Sequence, residues 1–205
     1  QWRPDWTSFT TGLAVRTPHL ESLARRGVVF SNAVVPSPLC APSRACLASG
    51  REYDRCGVPG NRYDFPLSTP TFYQHLRDAG YHVMGCGKLD LHKKTLDWGL
   101  DGSRLTKDWG FSDAIDNAGK RNAIASGKNE PKDPYMAYLY QEKLARTHID
   151  DFLRRTEYAD TFPTELPDRA YCDNWIGEKG MKLLGRAPAG KPWYQAITYT
   201  VPHSP

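Results

Sequence analysis

Hydrophobic positions along the chain switch between two spacings, one typical of helices and one typical of buried strands. Residues 17–27 begin with Thr-Pro, place leucines on one face and end with Gly, which predicts a short helix. The run 28–35 follows at once, and its valine-rich apolar composition predicts a buried strand. A helix that leads directly into a strand indicates an α/β fold.

The same order of elements occurs twice more. Residues 69–80 begin with Thr-Pro, have an apolar face and end with Gly, and the apolar run 81–86 follows them. A looser third copy predicts a helix at about 168–184 and a strand over 193–200. Helices that alternate with apolar strands predict a mostly parallel central sheet with helices on both faces.

The remaining segments have a different character. Gly, Asp, Lys and Asn are frequent between 96 and 134, which predicts an excursion of loops. Residues 135–155 keep an apolar face at helical spacing and predict one long amphipathic helix. Because neither end supplies the helices that an open parallel sheet needs, we expect residues 1–205 to be one partial domain, truncated at both ends.

Composition narrows the class of protein. The chain has 205 residues, of which 40% are hydrophobic and 24% charged, and this excludes a disordered or fibrous protein. No window approaches the roughly 20 apolar residues that a bilayer requires, so we expect no membrane span. The net charge of +4 comes from scattered basic residues, which favours small anions over nucleic acid as ligands. The five cysteines are never spaced C-x-x-C, which indicates neither a zinc knuckle nor a complete disulfide framework.

Polar clusters follow each of the three predicted strands. The carboxyl ends of parallel strands meet at one edge of a sheet, where ligands bind. Cys40 and Arg44 follow the first strand, Lys88 and His92 the second, and His203 the third. A cysteine, two cations and one or two histidines around one point predict a site that breaks an anionic ester.

Cys40 also precedes a predicted helix. Pro42 is well placed as a first helical residue and Gly50 as the terminator, so Cys40 would lie at the helix N-terminus. Free backbone amides and the helix dipole attract anions there, and Arg44 is four residues further on, at the spacing that shares a helix face. The pattern predicts a nucleophile beside an anion site.

The segment 40–51, Cys-Ala-Pro-Ser-Arg continuing to Ser-Gly-Arg, resembles the signature of the formylglycine-dependent (type I) sulfatases of the alkaline phosphatase superfamily. Residues 17–33, 76–88 and 191–205 resemble three further blocks of that family. The resemblance implies an alkaline phosphatase-like α/β fold and a sulfuric ester hydrolase that acts on a small sulfate ester.

The resemblance also implies roles for individual residues. A formylglycine-generating maturation enzyme would oxidise Cys40 to formylglycine, whose hydrate attacks sulfur with one hydroxyl and expels sulfate with the help of the other. Arg44 would stabilise the diol, Lys88 would hold sulfate oxygens, and His203 would bind the sulfate or protonate the departing alcohol. A divalent cation, calcium or alternatively magnesium, would bind an oxygen derived from Cys40.

The chain departs from the family pattern next to Lys88. Asp90 occupies the place where the family commonly has a histidine, and His92 lies two residues later, so His92 is a candidate substitute. Asp90 is either a partner of Lys88 or His92, or an exposed residue. The family's metal-binding carboxylates are expected before residue 1 and after residue 205, so we expect these residues alone to be inactive.

Two alternatives to sulfate ester hydrolysis stay open. Related members of the superfamily that use the same formylglycine hydrolyse phosphonate or phosphate esters. A non-catalytic homologue would keep the anion site and lack maturation or metal. The sequence specifies neither the substrate alcohol nor the compartment, although many members of the family that it resembles are exported or lysosomal.

Overall fold

The computed structural model describes residues 15–157 and 160–201, which belong to two units. The first unit contains the described residues up to Val35 together with Val201, and its helix α1 is Pro18–Arg26. This helix begins at Pro18 and ends at Arg26, directly before Gly27, the terminator that the sequence predicts. Glu21 accepts a hydrogen bond from the backbone N–H of Thr17 at 3.3 Å, which satisfies a donor in front of the first turn.

The prediction of a buried strand over 28–35 is wrong. No β-strand includes these residues, and the side chains of Phe30 and Val34 are 80% and 90% exposed. Valine-rich composition favours an extended backbone, but a strand forms only where a neighbouring backbone accepts its hydrogen bonds. The strands in the described part of the chain pair only with one another.

The second unit, residues 36–200, contains a parallel sheet. Its described strands are β1 (His82–Gly87), β2 (Asp113–Asp116) and β3 (Trp193–Thr198), and β1 lies in the middle. Met84 pairs with Asp113 on one side and with Gln195 on the other, in parallel register on both sides. The predicted parallel sheet is confirmed.

Six described helices accompany this sheet. They are α2 (Cys40–Ser49), α3 (Phe72–Asp78), α4 (Gly119–Gly127), α5 (Pro134–Gln141), α6 (Ala145–Leu153) and α7 (Cys172–Leu184). Short 3-10 turns occupy Tyr53–Arg55 and Asp168–Ala170. None of the helices in the described residues is long and apolar enough to cross a membrane.

Helices cover both faces of the sheet, as predicted. Successive side chains of β1 point to opposite sides and therefore contact both layers. Val83 lies in an apolar cluster with Tyr73 of α3 and with residues of α2. Met84 and Cys86 lie in a second cluster with Ile176 of α7 and residues of α5. The two layers bury every residue of β1 after His82 and hold its carboxyl end in a fixed position.

Two segments differ from the prediction. The expected loop excursion over 96–134 contains β2 and α4, since an Asp-Ala-Ile-Asp strand is too short and too acidic to show strand periodicity. The expected single helix over 135–155 is two helices, α5 and α6, because Lys143 adopts a left-handed φ of 61° between them. The spacing of apolar residues continues across such a turn and therefore does not predict it.

Gly87, the last residue of β1, should not tolerate a side chain. Its φ is 101°, and a Cβ atom at this position would collide with the backbone carbonyl of Thr198 in β3. We expect Gly87→Ala to reduce the unfolding free energy of the full-length protein by about 2 kcal/mol or more. Gly60→Ala is the control, because a Cβ atom there meets nothing within 4 Å. Urea denaturation that gives equal stabilities for the two variants would contradict this contact between β1 and β3.

Candidate active site

Polar side chains follow the carboxyl ends of all three strands in the sheet. Lys88 and Asp90 follow β1, Asp116 ends β2 with Asn117 behind it, and Thr200 follows β3. All five residues are buried. This edge of the sheet is where ligands bind in open parallel α/β proteins.

Backbone hydrogen bonds continue beyond the strands and fix these ends together. The Lys88 N–H donates to the Thr198 carbonyl at 3.1 Å, and the Asn117 N–H donates to the Gly87 carbonyl at 3.1 Å. Gly119 lies against the methylene stem of Lys88, since a Cβ atom on this glycine would be 2.9 Å from the Lys88 Cδ. Packing therefore holds the methylene stem of Lys88 in place, and this fixes the position of its ammonium group.

Asp90 is the centre of a cluster of cations. Its Oδ2 atom accepts hydrogen bonds from Lys88 Nζ at 2.5 Å and Lys93 Nζ at 3.1 Å, and Arg44 Nε lies 3.9 Å away. The exposed fractions of the side chains are 0% for Asp90, 10% for Lys88, 11% for Lys93 and 27% for Arg44. Asp90 has a φ of 57°, so the chain turns sharply at this residue.

The charge of Asp90 follows from two opposing effects on its pKa. Burial raises the pKa of the carboxyl group, but the ammonium groups of Lys88 and Lys93 outweigh burial, and the pKa lies below its usual range. Asp90 is therefore ionised at neutral pH. One negative and three positive charges leave the cluster with an excess of positive charge, which favours binding of an anion.

The cysteine predicted as the nucleophile lies one helical turn from this cluster. Helix α2 begins at Cys40, two residues earlier than Pro42 led us to expect, and it ends at Gly50 with a left-handed φ of 66° as predicted. Cys40 is only partly buried, and it shares a helix face with Arg44, which reaches Asp90. The structure thus brings Cys40, Arg44 and Lys88 to one region of the second unit.

No disulfide joins the five cysteines, all of which lie in the described residues, and the other four are buried. Burial raises the pKa of Cys46 to about 11, with a further contribution from a hydrogen bond to the Cys56 thiol. Burial likewise raises the pKa of Cys86 to about 12. These two thiols are protonated and unreactive at neutral pH.

His92 lies in the core behind the cluster. Its ring stacks on Trp109 with the centroids 5.1 Å apart and also contacts Trp98 at 5.4 Å. Neither ring nitrogen has a hydrogen-bond partner among the described residues. Burial lowers the pKa of His92 to about 4, so the imidazole is neutral at pH 7. A catalytic role for His92 stays a prediction.

Asp116 is a second buried carboxylate at this edge. Its Oδ1 atom accepts the Leu89 N–H at 2.9 Å, and its Oδ2 atom is 3.9 Å from His92 Nε2. Burial raises the pKa of Asp116 well above its ordinary value. The carboxylate fixes the backbone directly after Lys88, which makes it part of the scaffold under the cation cluster.

Sequence reasoning overlooked Lys93, Asp116 and Asn117. Asp116, which ends β2, and Asn117, which follows it, were overlooked because the strand itself was predicted as loop, although an Asp-Asn pair after two apolar residues is a usable signal. Nothing in the sequence indicated that Lys93 belongs to the site, apart from its position five residues after Lys88. His203, by contrast, lies outside the described residues, and its place at this edge stays a prediction.

A metal ion needs more ligands than the described residues supply. Among them, no group of three or more His, Cys, Asp and Glu side chains has the arrangement that holds a metal ion. Among the described residues, Asp90 accepts hydrogen bonds from two lysines and Asp116 accepts one from the backbone N–H of Leu89. The described part of the chain therefore does not fit a complete cation site.

These features define a class of protein: an α/β protein with a cluster of cationic side chains at the carboxyl edge of a parallel sheet and a cysteine at an adjacent helix N-terminus. The family model described as Sulfatase matches residues 1–205. The chain belongs to the sulfatase family.

Curated relatives show the same family likeness over most of the chain. An arylsulfatase of Clostridium perfringens is 25% identical over 208 residues, which cover 100% of this chain and 42% of that protein. An N-acetylglucosamine-6-O-sulfatase of Bacteroides thetaiotaomicron is 32% identical over 192 residues, which cover 94% of this chain and 27% of the relative. The chain thus spans less than half the length of these relatives.

Solved structures confirm the α/β fold. A phosphonate monoester hydrolase of Agrobacterium radiobacter superposes with a TM-score of 0.64 at 18% identity, covering 99% of this chain and 39% of its own. A protein solved with its substrate D-glucosamine-2-N,6-O-disulfate superposes with a TM-score of 0.62 at 20% identity, covering 96% of this chain and 32% of its own.

Proposed function

We propose that this chain belongs to a sulfuric ester hydrolase and that residues 1–205 are the part of its catalytic domain that carries the nucleophile. The observation that carries the proposal is the cluster of Arg44, Lys88 and Lys93 around Asp90, with Cys40 one helical turn away. Membership of the sulfatase family supports a sulfate ester as the anion.

Cys40 is the residue that we propose for conversion to formylglycine. It is the least buried of the five cysteines and begins a helix, and the Ala41 N–H beside it is held by the Asn61 side chain at 3.0 Å. When present, the hydrated aldehyde supplies two hydroxyl groups on one carbon, one to attack sulfur and one to allow release of sulfate. A formylglycine-generating maturation enzyme is therefore a proposed partner.

The cations of this chain bind and orient the sulfate group. Lys88 donates hydrogen bonds to the non-bridging sulfate oxygens, and its nearly buried ammonium acts in a medium that screens charge weakly. Arg44, on the same helix face as Cys40, directs its guanidinium to the nucleophilic oxygen. His203 supplies a proton to the departing alcohol oxygen.

A divalent cation, calcium or magnesium, with an oxygen derived from Cys40 among its ligands, stays a prediction from the family resemblance. The described residues do not form a complete site for such an ion. The roles given to Arg44, Lys88 and His203 depend on their own charges and protons.

The test compares two chromogenic esters with the full-length protein, produced together with a formylglycine-generating enzyme. We expect turnover of p-nitrophenyl sulfate to exceed that of p-nitrophenyl phenylphosphonate, and the peptide mass at position 40 to match formylglycine. Faster phosphonate turnover would favour a phosphonate or phosphate ester hydrolase instead. An unconverted Cys40 with no turnover of either ester would indicate a non-catalytic anion-binding homologue.

A further inference from the structure

We propose that Asp90 is a positioning residue that holds two lysines side by side, and that Lys93 is thereby a second ammonium group of the anion site. The inference rests on the proposed function, because the anion concerned is the sulfate group of the substrate. It assigns Lys93 to sulfate binding and Asp90 to the alignment of both ammonium groups.

The hydrogen bonds of the two ammonium groups indicate that each can donate to a further acceptor. Each ammonium group has three N–H donors, and within the described residues both direct their hydrogen bonds to the same Oδ2 atom of Asp90. The other oxygen, Oδ1, is buried and has no partner there. Within the part of the chain that the structure describes, Lys88 and Lys93 therefore converge on one atom and keep N–H donors available for the oxygens of one anion.

The charges support the same conclusion. Lys88 and Lys93 are each about nine-tenths buried, and a single carboxylate neutralises only one of them. An unpaired cation at this depth is unfavourable unless a counter-ion completes the site. Arg44 approaches the same oxygen from helix α2 and raises the excess further. A sulfate ester group, which carries one negative charge, offsets the positive charge that the two lysines and Asp90 leave between them.

The backbone at Asp90 shows how Lys93 comes within reach. A φ of 57° is uncommon for a residue other than glycine and is best tolerated by Asp or Asn. It turns the chain after β1, so that a lysine three residues later returns to the carboxylate of Asp90. The neighbouring Lys94 is exposed, which makes it a matched control on the same loop.

The first experiment measures binding of inorganic sulfate to the full-length protein by isothermal titration calorimetry. Lys93→Met should weaken the dissociation constant by about tenfold, Lys93→Arg should stay within about threefold of the wild type, and Lys94→Met should not change it. Equal affinity of the Lys93→Met and Lys94→Met variants, or no sulfate binding by the wild type, overturns the assignment of Lys93.

The second experiment tests Asp90 through the kinetics of Asp90→Asn on p-nitrophenyl sulfate, with unfolding measured in parallel. Loss of the negative charge should leave sulfate affinity unchanged or tighter, while kcat falls by about tenfold because the two ammonium groups lose alignment. A purely structural role predicts lower stability with kcat unchanged per folded molecule, and that result overturns the positioning role.

Failure of the proposed function gives a different result from failure of this inference. If the wild type binds sulfate and Lys93→Met weakens binding, but neither ester is turned over, the hydrolase proposal fails and the assignment of Lys93 stands. If the wild type hydrolyses sulfate esters and Lys93→Met matches Lys94→Met in binding and kcat/KM, the hydrolase proposal stands and the inference fails.

Discussion

Replacing Cys40 with serine should reduce steady-state release of sulfate by the full-length protein by about 1000-fold or more. The serine hydroxyl keeps the position at the start of α2, one turn before Arg44, so its oxygen can still attack sulfur. In that step the Oγ–S bond forms, the bond from sulfur to the alcohol oxygen breaks, and the alcohol takes up the proton. Serine has no second hydroxyl on the same carbon, so the sulfuryl group should stay on the protein.

Two measurements check this expectation. A stopped-flow assay with p-nitrophenyl sulfate should show at most one equivalent of p-nitrophenol per protein, and intact mass should rise by one sulfuryl group. Cys40→Ala should show neither signal. Cys46→Ala is the matched control, since Cys46 lies in the same helix with its thiol in the core, and it should retain turnover. Sustained turnover by either Cys40 variant would remove Cys40 from the mechanism.

Replacing Lys88 with methionine should lower kcat/KM for p-nitrophenyl sulfate by about 100-fold or more. The methionine stem preserves the packing against Gly119, so the variant loses the ammonium group and little else. The loss should exceed that of Lys93→Met, because Lys88 directly follows β1 and its stem is fixed against Gly119, whereas Lys93 lies beyond the turn at Asp90.

Lys94→Met again serves as the control, because Lys94 is exposed on the same loop. Circular dichroism should show that Lys88→Met is folded, because Lys93 remains as a partner for Asp90 in this variant. A loss of less than about threefold in kcat/KM for the folded variant would mean that Lys88 neutralises Asp90 and does not contact the substrate.

The sequence predicted the parts of the site that depend on long apolar strands. β1 and β3 have six residues each and are rich in apolar side chains, so their ends, and hence Lys88, could be placed at the edge of a sheet. β2 has four residues, of which the first and last are aspartates, and its apolar content is too small to predict a strand. Asp116 and Asn117 were therefore assigned to a loop.

Lys93 could not be predicted because its position depends on one backbone torsion. Sequence spacing places residues 88 and 93 apart on a regular element, and only the left-handed turn at Asp90 brings both ammonium groups to one oxygen. The failure at 28–35 has a related cause. Whether an apolar run is buried depends on which distant segment packs on it, and the residues of the run do not identify that segment.

The shared oxygen of Asp90 has a consequence for mutational studies of this family member. Arg44, Lys88 and Lys93 come from two separate segments, but they share the single negative charge of Asp90. Replacing one of them therefore changes how strongly that charge stabilises the other two. The energetic effects of substitutions at these positions will not be additive, and each position restricts the residues that the other two can accept during evolution.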